Sequence, residues 1–314
     1  MSDKDFSIGE EMVEGEFMRQ EDVFRAWVTE DGSSGYPAAA ARYHLYVSLA
    51  CPWAHRAIIV RRCLGLEQVL GMTVVDPLRD ARGWVFTDEP DPVNGFGFLR
   101  EAYQATDPGY SARVTVPVLW DRETGRIVNN SEDDIVRMFN GAFRSFGNAS
   151  TDLYPEELRE EIDALDEWIY PAINNGVYRA GFAETQEAYE RAVYELFDAL
   201  DRLEGQLATR RYLCGGQITE ADWKLFVTLV RFDVVYYVHF KCNLRRIVEY
   251  PNLWAYLRDL YQQPGIAETV DFDHIKRHYY ITQVDLNPCS IVPVGPADLD
   301  LSAAHGREAL IRPD

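Results

Sequence analysis

Basic charge is in short supply. The 314-residue chain carries 31 Lys and Arg against 51 Asp and Glu, a formal net charge of −20, and only Lys4, Lys224, Lys241 and Lys276 are lysines. Such an acidic excess disfavours electrostatic capture of nucleic acid or of an anionic membrane surface, so neither is expected as a partner. Long hydrophobic runs are missing too: no stretch of about 18 apolar residues occurs, so no membrane-spanning helix is expected. The opening residues, Met1 to Glu16, are polar and acidic, unlike a secretory or organellar signal. Cysteine is scarce: Cys51, Cys63, Cys214, Cys242 and Cys289 are odd in number, scattered, and contain no CxxC pair. That argues against a disulfide framework and a zinc cluster and points to a reducing, cytoplasmic compartment. What is plentiful is apolar content, 47%, enough for the cores of two domains.

Residues 1–42 lack sustained periodicity and hold the turn cluster Asp31-Gly32-Ser33-Ser34-Gly35, so they read as an irregular arm. From Tyr43 to Val47 the pattern is strand-like, and a turn then leads to Cys51-Pro52. Beyond it Ala54, Ala57, Ile58, Val60 and Leu64 recur at helical spacing. Proline suits the first position of a helix, where its missing N–H costs nothing. Cys51 therefore falls at a helix N-terminus, where unpaired N–H groups and the positive end of the macrodipole favour a thiolate. A lone cysteine is more often buried and structural; strand, turn, Cys-Pro and helix together favour a nucleophile. His55, a turn further on, reads as structural.

The chain then alternates. Met72 to Val75 reads as a strand, and Leu78 to Pro108 as a long aromatic-studded loop. Thr115–Asp121 and Arg126–Val128 form a hairpin, followed by a helix from Glu132 to Asn140. The order βαβ, loop, ββα is thioredoxin-like. Past Tyr154 the pattern is all-helical. Pro155 and Pro251 open helices, and Ala188 to Leu207 carry the clearest amphipathic stripe. Thr219-Glu220-Ala221-Asp222 is a capping box opening an apolar helix that runs to about Phe240. The fold class is therefore α/β plus all-α: an arm (1–42), a thioredoxin-like thiol-binding domain (43–150), a helical domain with an aromatic-substrate pocket (151–290) and a tail (291–314).

Cys51-Pro52-Trp53-Ala54-His55-Arg56 resembles the active-site motif of the glutathionyl-hydroquinone reductases, the Xi class of the glutathione transferases. Omega-class relatives have Phe or Tyr where Trp53 stands. Further matches run from about Tyr43 to Pro296. The resemblance implies an enzyme that removes glutathione, or a related γ-glutamyl thiol, from S-conjugated hydroquinones through a mixed disulfide on Cys51. The thiol is a co-substrate and no tightly bound cofactor or metal is implied; a homodimer is, with the site in the cleft between the two domains. An omega-like thiol transferase or dehydroascorbate reductase would share Cys51 and the thiol pocket. A transferase-like binding module would lack the nucleophile.

The resemblance also assigns roles. Val116, before a cis Pro117, offers its backbone to the thiol peptide. Trp84 packs on the thiol, or is a loop anchor. Arg113 meets a thiol carboxylate, or is a solvated charge. In the family a Glu-Ser pair opens the helix at 132 and binds the γ-glutamyl end. This chain has Ser131-Glu132, the reverse order, which read alone is a capped helix with an acidic first turn. Tyr178, Tyr236 and Tyr279 match positions in the helical domain that line the aromatic pocket, where a phenol hydrogen-bonds a ring oxygen or gives up a proton.

Overall fold

In a computed structural model the described residues are 11–87 and 89–310. They divide by contact into two units: one holds Gln20–Thr151 and Thr269–Ile291, the other Glu11–Arg19, Asp152–Glu268 and the chain from Val292. The arm is less irregular than its sequence suggests. Glu11–Val13 (β1) and Glu16–Met18 (β2) form a hairpin across Glu14 and Gly15, both at positive φ. Further on, Ala26 N–H donates to the Val128 carbonyl at 3.0 Å and Asn130 N–H to that of Phe24 at 3.0 Å, so 24–26 lies along a sheet edge.

That sheet organises the first unit. Tyr43–Val47 (β3) leads into Pro52–Cys63 (α1) and Gly71–Val74 (β4), which returns parallel to β3. Arg79–Asp80 (β5) and Gly83–Trp84 (β6) make a small hairpin in the long loop, which closes with Arg100–Thr106 (α2). Val118–Asp121 (β7) and Arg126–Asn129 (β8) complete the antiparallel half, giving the order β4-β3-β7-β8. Every residue of β3 is buried, as a central strand requires. The β7–β8 turn is held by Asp121, which accepts from Arg42 Nε and Nη2 at 2.9 and 2.7 Å and from the Thr124 hydroxyl at 2.8 Å. Glu132–Asn140 (α3) follows and packs on α1.

The second unit is helical: Arg159–Ile169 (α4), Gly176–Gly181 (α5), Gln186–Leu207 (α6), Glu220–Arg231 (α7) and Pro251–Tyr261 (α8). The stripe Ala188, Ala192, Val193, Leu196, Leu200, Leu203 and Leu207 of α6 is wholly buried, and each such leucine contributes about 1.5–3 kcal/mol. Two expectations are corrected. Pro155 does not open α4; it precedes a 3₁₀ turn at Glu156–Leu158, and α4 starts at Arg159. The helix from Glu220 does not run to Phe240: it ends at Arg231 and passes into a π-helical turn at Phe232–Tyr236. A second π turn, Tyr170–Asn174, follows α4 where Pro171 has no N–H to give, and the Asn175 N–H reaches back to Tyr170 at 2.8 Å. Phe272–Thr282 (α9) packs with the first unit, although its sequence reads as part of the helical run. Among the described residues no helix is long and apolar enough to cross a membrane.

Candidate active site

Cys51 is the N-cap of α1, in an extended conformation, with Pro52 in the first turn and no acidic residue there. The His55 N–H closes the first helical bond onto the Cys51 carbonyl at 3.0 Å. Its Sγ lies 3.6 Å from the carbonyl oxygen of Val116, and the Val116–Pro117 bond is cis, as the family resemblance implies. The helix N-terminus thus presents its positive end beside a half-buried sulfur, with no carboxylate in that turn to oppose a thiolate. Cys289 is exposed, and the other three thiols differ from Cys51 in another way. Burial pushes Cys63 and Cys214 up to about 12 and raises Cys242 as well, which keeps all three protonated and inert. His55 is fully buried and pairs with the Thr269 hydroxyl at 2.8 Å.

The start of α3 is tied to the cis-proline loop. Asn130 Nδ2 donates to the Thr115 hydroxyl at 3.0 Å, and the Tyr103 phenol donates to the Thr115 carbonyl at 2.9 Å. Asn129 Oδ1 takes the Ser131 N–H at 2.7 Å. Ser131 is the N-cap, yet its hydroxyl makes no capping bond to its own helix. Three carboxylates fill the first turn. Asp134 is gripped by Arg25, with one contact at 2.8 Å, and by Asn129 Nδ2 at 2.9 Å. Asp133 pairs with Arg56, and Glu132 lies 3.9 Å from the same guanidinium. Arg56, on α1, is buried, and a buried charge persists only where it is paired. It joins the helix that Cys51 opens to the helix expected to hold the thiol. Sequence reasoning quoted Arg56, Asn129 and Asn130 within their motifs but gave them no role of their own. The Asn-Asn pair ahead of a helix start was the available signal.

Trp84 is buried at the end of β6 with its Nε1 making no hydrogen bond. The His278 ring stacks on it at 5.0 Å and 22°, and Arg79 lies 5.4 Å from its centroid. His278 is fixed through Nδ1 to the Pro77 carbonyl at 2.7 Å and meets Tyr279 edge-on at 5.4 Å. Trp84 and Tyr279 thus touch one imidazole from either side of the chain order, a link the sequence did not reveal. Tyr280 is buried too, and that burial pushes its phenol up to about 12. Arg113 is half-buried in the loop before Val116, and its carbonyl takes the Tyr110 phenol at 2.5 Å.

In the helical unit Tyr178 and Tyr236 have centroids 6.0 Å apart. Each is near a π turn: Tyr236 is the last residue of one, and Tyr178 stands four residues past the end of the other. Phe240 stacks on Tyr236 at 5.4 Å and meets Tyr178 at 5.3 Å. Gly181 makes room for that ring, since a Cβ there would lie 2.3 Å from the Phe240 Cγ. Two residues of the arm join the cluster: Phe17, 6.3 Å from Tyr178, and Arg19, whose guanidinium carbon is 4.9 Å from the Tyr178 centroid. Neither was singled out from sequence, because the arm shows no periodicity. Among the described residues no group of three His, Cys, Asp or Glu is placed to hold a metal ion.

Residues 50–141 match the family model described as glutathione S-transferase, N-terminal domain, and residues 186–259 match that of the C-terminal domain. The chain is 50% identical over 305 residues to the glutathionyl-hydroquinone reductase YqjG of Escherichia coli K12, covering 94% of this chain and 93% of that protein. The solved glutathione-bound structure of that protein superposes with a TM-score of 0.90, over 92% of this chain and 97% of that one. The glutathionyl-hydroquinone reductase PcpF of Sphingobium chlorophenolicum is 47% identical, covering 90% of each chain. A Xi-class transferase structure from Natrialba magadii is 50% identical with a TM-score of 0.89, over 95% of this chain and 96% of that one.

Proposed function

The chain belongs to the glutathionyl-hydroquinone reductases, the Xi class of the glutathione transferases, and from that premise we propose that it reductively removes a small γ-glutamyl thiol from S-conjugated hydroquinones. The observation that carries this reading is the Cys51 sulfur at the start of α1, 3.6 Å from the Val116 carbonyl beside cis Pro117. Cys51 attacks as thiolate on the sulfur of the conjugate. The carbon–sulfur bond breaks, its electron pair goes to the ring carbon, and a tyrosine supplies the proton, so the free hydroquinone leaves. Cys51 is now a mixed disulfide. A second thiol molecule attacks it, releasing the symmetrical disulfide and Cys51. The conjugate's sulfur and that of the second thiol each lose one electron as the disulfide forms, and the ring carbon takes up the two electrons of the broken carbon–sulfur bond.

The rest of the assignment follows the same reading. Val116 offers its backbone to the thiol as a short extra strand. The α3 start accepts the γ-glutamyl carboxylate through its N–H groups and the Ser131 hydroxyl, which is not spent on the helix. Glu132 meets the ammonium, Trp84 packs on the thiol and Arg113 meets its other carboxylate. Tyr178, Tyr236 and Tyr279 serve the ring and its oxygens. Glutathione or a related thiol is a dissociable co-substrate, and the protein works as a cytoplasmic homodimer, a state that light scattering checks. The test is turnover of one S-glutathionyl hydroquinone beside a small mixed disulfide and dehydroascorbate, each with a panel of thiols. The expected result is release of free hydroquinone with at least one thiol. Exchange on the disulfide or dehydroascorbate alone would overturn the reading in favour of an omega-like activity.

A further inference from the structure

The arm contributes a cation to the tyrosine cluster. Phe17 and Arg19 belong to the helical unit by contact, carried there by the β1–β2 hairpin, with β2 packed on α5. The Arg19 guanidinium carbon stands 4.9 Å from the Tyr178 centroid and 5.2 Å from that of Phe17. Its Nε donates to Asn175 Oδ1 at 3.0 Å, so the planar fork is fixed by a residue one turn before Tyr178. Asn175 is the N-cap of α5 and makes no side-chain cap bond; its amide oxygen is turned to Arg19 instead. A cap position given up to orient an arginine over a neighbouring phenol is a geometric commitment.

We propose that Arg19 is a positioning residue that makes Tyr178 the proton donor to the departing ring. The proposal rests on the reading above that a tyrosine protonates the hydroquinone carbon. As the carbon–sulfur bond breaks, the Tyr178 O–H proton passes to that carbon and the ring of Tyr178 becomes a phenolate. A guanidinium attracts an aromatic face, and it attracts one carrying negative charge more strongly. The interaction therefore grows along the reaction, and only interactions stronger in the transition state accelerate a chemical step. The phenolate recovers its proton when the second thiol ionises to attack the mixed disulfide, which closes the proton balance.

The experiment is a double-mutant cycle on the full chain, with one S-glutathionyl hydroquinone as substrate. Arg19→Ala is expected to lower kcat about tenfold while the thiol KM stays within about twofold, the pattern of an interaction realised in the transition state. Arg19→Lys should return part of the loss, and Asn175→Ala should lower kcat by less than Arg19→Ala does. In a Tyr178→Phe background Arg19→Ala should have no further effect. An equal loss in both backgrounds, or full activity of Tyr178→Phe, overturns the proposal. If Arg19→Ala does not fold, Arg19→Lys and Asn175→Ala carry the same cycle. Absence of turnover in the unaltered chain overturns the proposed function itself, and this inference falls with it. Turnover that persists without coupling removes the inference alone.

Discussion

The helices of this chain begin in two different ways. At α6 the Thr185 side chain accepts from the Ala188 N–H at 3.2 Å, and at α9 Asp271 accepts from the His274 N–H at 2.8 Å. At α7 the Asp222 carboxylate reaches back to the Thr219 N–H at 2.8 Å and also accepts from the Leu213 N–H and the Tyr256 phenol. These starts satisfy themselves. At α1 and α3 the N-caps are Cys51 and Ser131, and neither side chain bonds its own helix. A helix start leaves about four N–H groups without intrahelical partners. Where the chain closes them with its own oxygen the result is stability. Where it sets a cysteine, or a serine whose hydroxyl makes no cap bond, the positive end is available to a sulfur or a carboxylate. The N-cap side chains of α2, α4, α5 and α8 also make no bond to their own helices, but Cys51 and Ser131 stand on neighbouring helices tied together by Arg56.

Substitutions can break this contrast. The largest expected effect is at the open start that holds the sulfur. Cys51→Ser should abolish turnover with the melting temperature within a few degrees of the unaltered chain, because its hydroxyl is a far weaker nucleophile. Cys63→Ser, in the same helix, should leave turnover near normal, since burial holds that thiol protonated. Substantial activity in Cys51→Ser would remove the nucleophile from the mechanism.

Next comes a closed start. Asp222→Ala strands several buried donors, each worth about 1–3 kcal/mol when left unmade, and should lower stability by several kcal/mol in chemical denaturation. Ser131→Ala should behave oppositely. A typical Ser cap contributes about 1 kcal/mol, but this one makes no cap bond, so the loss should stay under about 0.5 kcal/mol while the thiol KM rises several-fold. A large loss of stability in Ser131→Ala would make α3 another self-closed helix.

Much of this was legible in the sequence, and what was not has physical reasons. Pro52 and Pro251 announced helix starts because a first-turn proline gives up nothing. Glu132 to Asn140 was readable end to end because an acidic first turn precedes an amphipathic stripe. The break at Phe232 was not readable: Val230 to Tyr236 is buried throughout, Arg231 and Asp233 included, so no polar face gives the periodicity a phase with which to register a π turn. The arm hairpin was missed because its three-residue strands are too short to show alternation. The grouping of α9 with the first unit rests on contacts such as His278 with Pro77 and Trp84, some 200 residues apart in sequence, which no local pattern encodes. Cys51 and the Thr219–Asp222 box were visible because each is a local motif. Arg56, His278 and Arg19 act across elements, so they surfaced only once the chain was folded.

The smallest effect expected is also the sharpest test of the open start at α3. Exchanging Ser131 and Glu132, as Ser131→Glu with Glu132→Ser, moves a carboxylate one position, which turns it by about 100° around the helix axis. Asp133 keeps its pair with Arg56 and Asp134 its pair with Arg25, so the helix itself should form as before. What changes is the direction from which an ammonium is met and the place where a hydroxyl is offered to a carboxylate. If the order Ser131-Glu132 is matched to a thiol other than glutathione, the exchange should raise kcat/KM with glutathione several-fold. The same exchange should lower kcat/KM with the true co-substrate by a similar factor. A panel of glutathione, γ-glutamylcysteine and cysteine, each with one S-conjugated hydroquinone, reads both changes. Both γ-glutamyl thiols shifting together would mean that the pair reads the γ-glutamyl end alone and the rest of the thiol is read elsewhere. No change in selectivity across the panel would mean that these two side chains serve only the helix, and that of α1 and α3 only the α1 start takes part in the chemistry.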